Sequence, residues 1–150
     1  MDKVIIDTST WIESFKPGSE KSLQRLVKDL ILQDLVLLPG IIKTELLRGA
    51  KNKKEFNHLY QMLKGLIYLP VAEDFWERLS DFSFQLFRKG IVVPLTDTYI
   101  ALLCIENQVA LLHCDKHFDM IAQKTKLSIL ALQPNYFILK NARVKAHFSG

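Results

Sequence analysis

Short, wholly apolar runs alternate along the chain with longer stretches in which apolar residues recur every three or four positions. The runs KVIID (3–7), LVLL (35–38), GLIYLP (65–70), VALLHC (109–114) and LSILAL (127–132) predict buried strands. Between them, the spacing predicts helices. One spans 8–15 and stops before Pro17-Gly18. A second starts at Ser19 and presents Leu23, Leu26, Val27, Leu30 and Ile31 on one face. Pro39 opens a third, ending near Arg48-Gly49. A fourth spans 53–64, with Phe56, Leu59, Tyr60 and Leu63 aligned, and a fifth spans 73–89 before Gly90. The segment 96–108 is apolar on nearly every side, so it belongs at the centre. Strands alternating with helices predict an α/β fold: a mainly parallel sheet covered on both faces.

With 150 residues, 49% of them hydrophobic, the chain suits one globular domain. We place that domain at 1–132 and a C-terminal extension at 133–150, where Lys140, Arg143 and Lys145 lie. A net charge of +4 mildly favours anionic partners. Cys104 and Cys114 lie in apolar segments and are expected as two buried thiols of a reducing compartment. Asp2, Asp7 and Glu13 interrupt any leader peptide. Gln33, Asp34 and Pro39 break the most apolar stretch, LILQDLVLLPGII, which excludes it as a membrane span. A soluble cytoplasmic protein is the expectation.

Four acids occupy unexpected places. Asp7 and Asp115 each follow a predicted strand, where open α/β sheets bind ligands. Each is equally suited to cap the next helix. Glu45 falls between Ile41 and Ile42 around its helix, inside an apolar stripe. It must pair, with Arg48 or Lys43, or coordinate something, because an isolated buried carboxylate is costly. Asp97 opens the most apolar helix, where it or Thr96 is a candidate cap. Gathering such carboxylates costs about 4 kcal/mol per pair at contact distance. A divalent cation offsets that cost, and oxygen ligands select Mg²⁺ or Mn²⁺ over zinc. Zinc on His113, Cys114 and His117 is disfavoured, since 113 and 114 face opposite sides of a strand. His113 shares a face with Asp115 and is expected near the site. A carboxylate-held cation suits phosphoryl chemistry on a nucleic-acid backbone.

The segments VIIDTSTWIESF, IIKTELLRGAK, LTDTYIALLCIENQVALLHCDKHFDMIA and LSIL, in that order and spacing, resemble the PIN-domain family, in particular VapC-type toxins. The resemblance spans about residues 3–131. It implies a three-layer α/β/α sandwich and a Mg²⁺- or Mn²⁺-dependent endoribonuclease. It further implies an RNA substrate, a cognate antitoxin and a homodimer. Asp7, Glu45, Asp97 and Asp115 match the family's four acids in turn, as catalytic residues and metal ligands. Asp119 is a possible outer member, and Thr8 or Ser9 matches the supporting hydroxyl. His113 stands where a small hydroxyl residue is common, and the tail beyond about 133 exceeds the usual family end. Arg48, Lys51, Lys53 and Lys54 are candidates for phosphate contact, or simply a solvated turn. A haloacid-dehalogenase reading fails because Ser9 stands where a second aspartate is needed. The remaining alternative is a metal-free PIN-like module that binds RNA or protein without cutting.

Overall fold

Among the described residues, four short strands make the frame: β1 (Val4–Ile6), β2 (Val36–Pro39), β3 (Ile67–Leu69) and β4 (Ala110–Leu112). The computed structural model describes residues 2–130, so the proposed extension 133–150 lies outside the described residues. All pairings are parallel, in the order β3-β2-β1-β4. Ile5 pairs with Leu37 on one side and Leu111 on the other. Every residue of β1, β2 and β4 is buried, so these strands read as unbroken apolar runs with no polar face.

Among the described residues, seven helices surround the sheet: α1 (Thr8–Phe15), α2 (Lys21–Leu32), α3 (Gly40–Arg48), α4 (Lys53–Lys64), α5 (Phe75–Arg88), α6 (Leu95–Asn107) and α7 (Lys116–Lys124). One group packs α1 on α2 and α3, and α3 on α4; the other packs α5 on α6 and α6 on α7. The result is the expected α/β/α sandwich. Its most enclosed helix is α6, whose residues Asp97 to Cys104 are buried without a break. Among the described residues, no helix is long and apolar enough to cross a membrane.

The strand expected at 127–132 is reduced to a single parallel bridge between Leu111 and Ile129. Residues 131–132 lie outside the described residues. The reason is the length of β4. Successive residues of a strand point their backbone groups to opposite neighbours. Ala110 and Leu112 face β1, leaving Leu111 alone to bond outward. It accepts from Leu130 N–H at 2.8 Å and donates to Ser128 O at 2.9 Å.

Helix α6 ends on Gln108 in the left-handed conformation, φ 55° and ψ 44°. A side chain with a Cβ is strained there, and glycine is the favoured residue. Gln108→Gly is therefore expected to stabilise the fold by about 0.5–1 kcal/mol. Thermal melting checks it, through a rise of roughly 1–4 °C.

Candidate active site

Strand order locates the crevice. From β1 the chain moves outward through β2 to β3, then crosses back through α5 and α6 to β4 on the far side of β1. The connections diverge between β1 and β4, and open α/β sheets bind ligands at such a switch point. Asp7 leaves β1 there and donates its N–H to Leu112 O at 2.9 Å. Residues 113–115 leave β4 beside it. Helix α6 feeds directly into β4 and so runs against it, which brings its first turn, with Asp97, to the same edge of the sheet.

Asp7 and Asp115 are helix caps as well as neighbours in the crevice. Asp7 Oδ2 accepts from Ser9 N at 3.1 Å, capping α1, and also from Ser9 Oγ. Asp115 Oδ1 accepts from His117 N at 2.9 Å, capping α7. Each cap uses one carboxylate oxygen, so capping and a role in the site are compatible. Asp97 is different. Pro94 is the N-cap of α6, and no side chain makes a cap bond there. The expected cap by Thr96 or Asp97 is therefore not formed, because the helix begins earlier, at Leu95. Asp97 is left only 9% exposed, inside the first turn.

Small hydroxyls tie the acids together. Ser9 Oγ donates to Asp7 and accepts the backbone N–H of Cys114 at 3.2 Å, joining the end of β1 to the loop that carries Asp115. Thr8 Oγ1 donates to Glu45 Oε1 at 2.8 Å. Glu45 is half-buried and makes no ion pair with Arg48 or Lys43.

The tightest grouping is Asp97, Asp115 and His117, whose ligand-type atoms lie within 4.8 Å of one another. His117 Nδ1 is 3.1 Å from Asp97 Oδ2 and 3.1 Å from Asp115 Oδ1. Asp7 and Glu45 are outside that set. Asp7 still acts on it by charge, while Glu45 is bonded to Thr8, the residue after Asp7. Burial first, then the carboxylates of Asp115 and Asp7, push the Asp97 carboxyl up to about 6 against the pull of His117. Among the described residues, no lysine or arginine pairs with any of the four acids. A donor set of two carboxylates and one imidazole, with Asp97 buried, Asp115 and His117 half-buried and no lysine or arginine partner among the described residues, fits a divalent cation.

His113 braces the loop from below. Its Nδ1 accepts from Asp115 N at 3.0 Å, so its proton sits on Nε2, 3.2 Å from Asp119 Oδ1. Neither nitrogen turns toward Asp97, and Asp119 is mostly exposed on this outer brace. Cys104 is buried, but Cys114 is exposed, contrary to expectation. The strand stops at Leu112, so position 114 is in a turn. Arg48, Lys51, Lys53 and Lys54 are all exposed. Lys53 Nζ sits 4.2 Å over the Phe56 ring, and Lys51 lines a cavity of about 380 Å³ together with Glu45.

His117, named above only within a disfavoured zinc site, is a partner of the acids. Its signal was the spacing: a histidine two residues past a capping aspartate, on the helix turn that opens at the crevice.

Comparison with known proteins agrees with this frame. The family model for the PIN domain matches residues 4–124. Ribonuclease VapC11 of Mycobacterium tuberculosis is 30% identical over 129 residues, covering 83% of this chain and 95% of the relative. Among solved structures, FitAcB from Neisseria gonorrhoeae superposes with a TM-score of 0.69 at 21% identity, covering 84% of this chain and 95% of that one. A toxin–antitoxin complex from Klebsiella pneumoniae gives 0.58 at 16% identity, over 76% of this chain and 88% of that one.

Proposed function

The chain belongs to the PIN-domain family, and from that premise we propose that it is a divalent-metal-dependent endoribonuclease acting as the toxin of a toxin–antitoxin pair. One observation carries the reading: Asp97 and Asp115 meet beside Asp7, and among the described residues no lysine or arginine balances them. Asp7, Asp97 and Asp115 would hold Mg²⁺ or Mn²⁺, with Glu45 at the margin. When bound, the cation would neutralise a phosphodiester, make a water more acidic and stabilise the departing oxygen. Ser9 holds Asp7 in place through its hydroxyl, and Thr8 orients Glu45. Lys51, which lines a cavity together with Glu45, would meet an RNA phosphate. The apolar lining of that cavity, with Ile12, Phe15, Leu46 and Leu59, would seat an antitoxin segment next to Glu45.

The test is cleavage of cellular RNA by the purified full-length chain with Mg²⁺ or Mn²⁺, followed by sequencing of the new ends. Internal cuts that vanish with a chelator are expected. Tight RNA binding with no cut under any ion would instead favour the non-catalytic module. Ser9→Ala should lower the cleavage rate about 10–100-fold, as loss of a group that orients a ligand does. It should destabilise the fold by about 1 kcal/mol. Ser9→Thr, keeping a hydroxyl, should recover part of both in the same assays.

A further inference from the structure

We propose that His117 is itself a ligand of the divalent cation, through Nδ1, so that the site is a mixed nitrogen–oxygen centre preferring Mn²⁺ to Mg²⁺. This rests on the metal-dependent reading above and adds a residue and an ion preference to it.

Three observations support it. First, Nδ1 stands 3.1 Å from Asp97 Oδ2 and 3.1 Å from Asp115 Oδ1. Atoms bound about 2.1 Å from one cation at right angles to each other lie roughly 3 Å apart. The imidazole nitrogen is already at the spacing of an adjacent ligand to both carboxylates. Second, the residue is anchored through its backbone. His117 is the second residue of α7, and its N–H bonds the same Asp115 oxygen at 2.9 Å. The helix cap thus sets the histidine and the aspartate as one unit. Third, the other histidine nearby is committed elsewhere. His113 spends Nδ1 on the Asp115 N–H and Nε2 on Asp119. When Nδ1 carries a proton, it donates to Asp97 Oδ2 and lies 3.1 Å from Asp115 Oδ1. A cation would take the place of that proton between the same atoms.

Imidazole favours first-row transition ions over Mg²⁺, which prefers oxygen throughout. A site with Asp97, Asp115 and His117 should therefore bind Mn²⁺ more tightly than a purely carboxylate site of the same charge would, relative to Mg²⁺.

The experiment uses the full-length protein loaded with Mn²⁺ and read by electron spin-echo spectroscopy for ¹⁴N coupling. Wild type should show an imidazole nitrogen on Mn²⁺. His117→Ala should lose that signal, and its Mn²⁺-to-Mg²⁺ affinity ratio, from calorimetry, should fall about tenfold or more. Mn²⁺ bound without nitrogen coupling in wild type would overturn the proposal. So would an unchanged signal and ratio in His117→Ala. His117→Gln provides the same comparison should the alanine variant fold poorly. Wild type that binds neither ion would sink the metal-dependent nuclease reading itself, a different failure from Mn²⁺ bound by oxygen alone.

Discussion

Asp97→Asn is expected to abolish RNA cleavage while making the metal-free protein harder to unfold. The loss should exceed about a hundredfold, because the substitution removes both a negative ligand and the charge that attracts the cation. The stability change has the opposite sign. Asp97 is buried near Asp115 and Asp7, and its carboxyl is pushed up to about 6. In the unfolded chain an aspartate titrates near 3.9. Between these values the folded state binds the extra proton, so stability falls as pH rises from about 4 through 6. At pH 7.5 and without metal, the wild-type fold bears the full cost of that charge. Asparagine keeps the shape and discards the charge. The gain should be on the order of 1 kcal/mol after discounting for solvent screening, or about 2–4 °C in melting temperature. It should shrink as pH falls below 6, where wild-type Asp97 is protonated and resembles the variant. Melting curves in chelator at pH 5 and 7.5, beside cleavage assays with Mn²⁺, check both halves. A variant that melted lower at both pH values would show that charge crowding at Asp97 does not burden the metal-free fold.

The same crowding explains what could be read in advance. Unbroken apolar runs located β1, β2 and β4, since strands covered on both faces carry no polar residue. Asp7 and Asp115 were visible because each ends such a run. Whether they face one another depends on β1 and β4 being neighbours, which periodicity does not encode; strand order does. Asp97 was harder. An acid in the first turn of a helix ordinarily caps it, and only the earlier start at Leu95, set by Pro94, turns Asp97 inward. Glu45 was placed correctly on its helix, yet it is half-buried and held by a neutral hydroxyl rather than a charge. His117 escaped because its partners are defined by a side-chain rotamer at a helix start, and hydrophobic spacing carries no rotamer. The loss of a full strand at 127–130 follows from a three-residue β4 with one outward-facing residue, a count that boundaries blurred by one or two residues hide.

Phe118→Ala should damage the fold severely, costing about 3–5 kcal/mol. The side chain is fully enclosed, at 0% exposure, and its ring lies 5.2 Å from that of His113. Helix α7 has nine residues, too few to be stable by hydrogen bonding alone. Phe118 and Ile121 are its buried anchors, so removing the larger leaves a cavity under the helix that carries Asp115 at its cap and His117 in its first turn. A net stability of about 5–15 kcal/mol is typical of a whole domain, so the loss is a large fraction of the total. Urea or thermal melting should show it as a drop on the order of 10 °C. Phe118→Leu, which fills much of the space, should fall well short of that. Cation should rescue the variant only in part, because binding at a hundredfold excess over the dissociation constant returns about 2.7 kcal/mol. Lost activity then has two distinguishable origins. At Asp97 it accompanies a gain in metal-free stability, since a charge was removed from among its like. At Phe118 it accompanies a loss, since the platform that presents Asp115 and His117 has given way. Equal melting of Phe118→Ala and wild type would mean that α7 is held by something other than this ring.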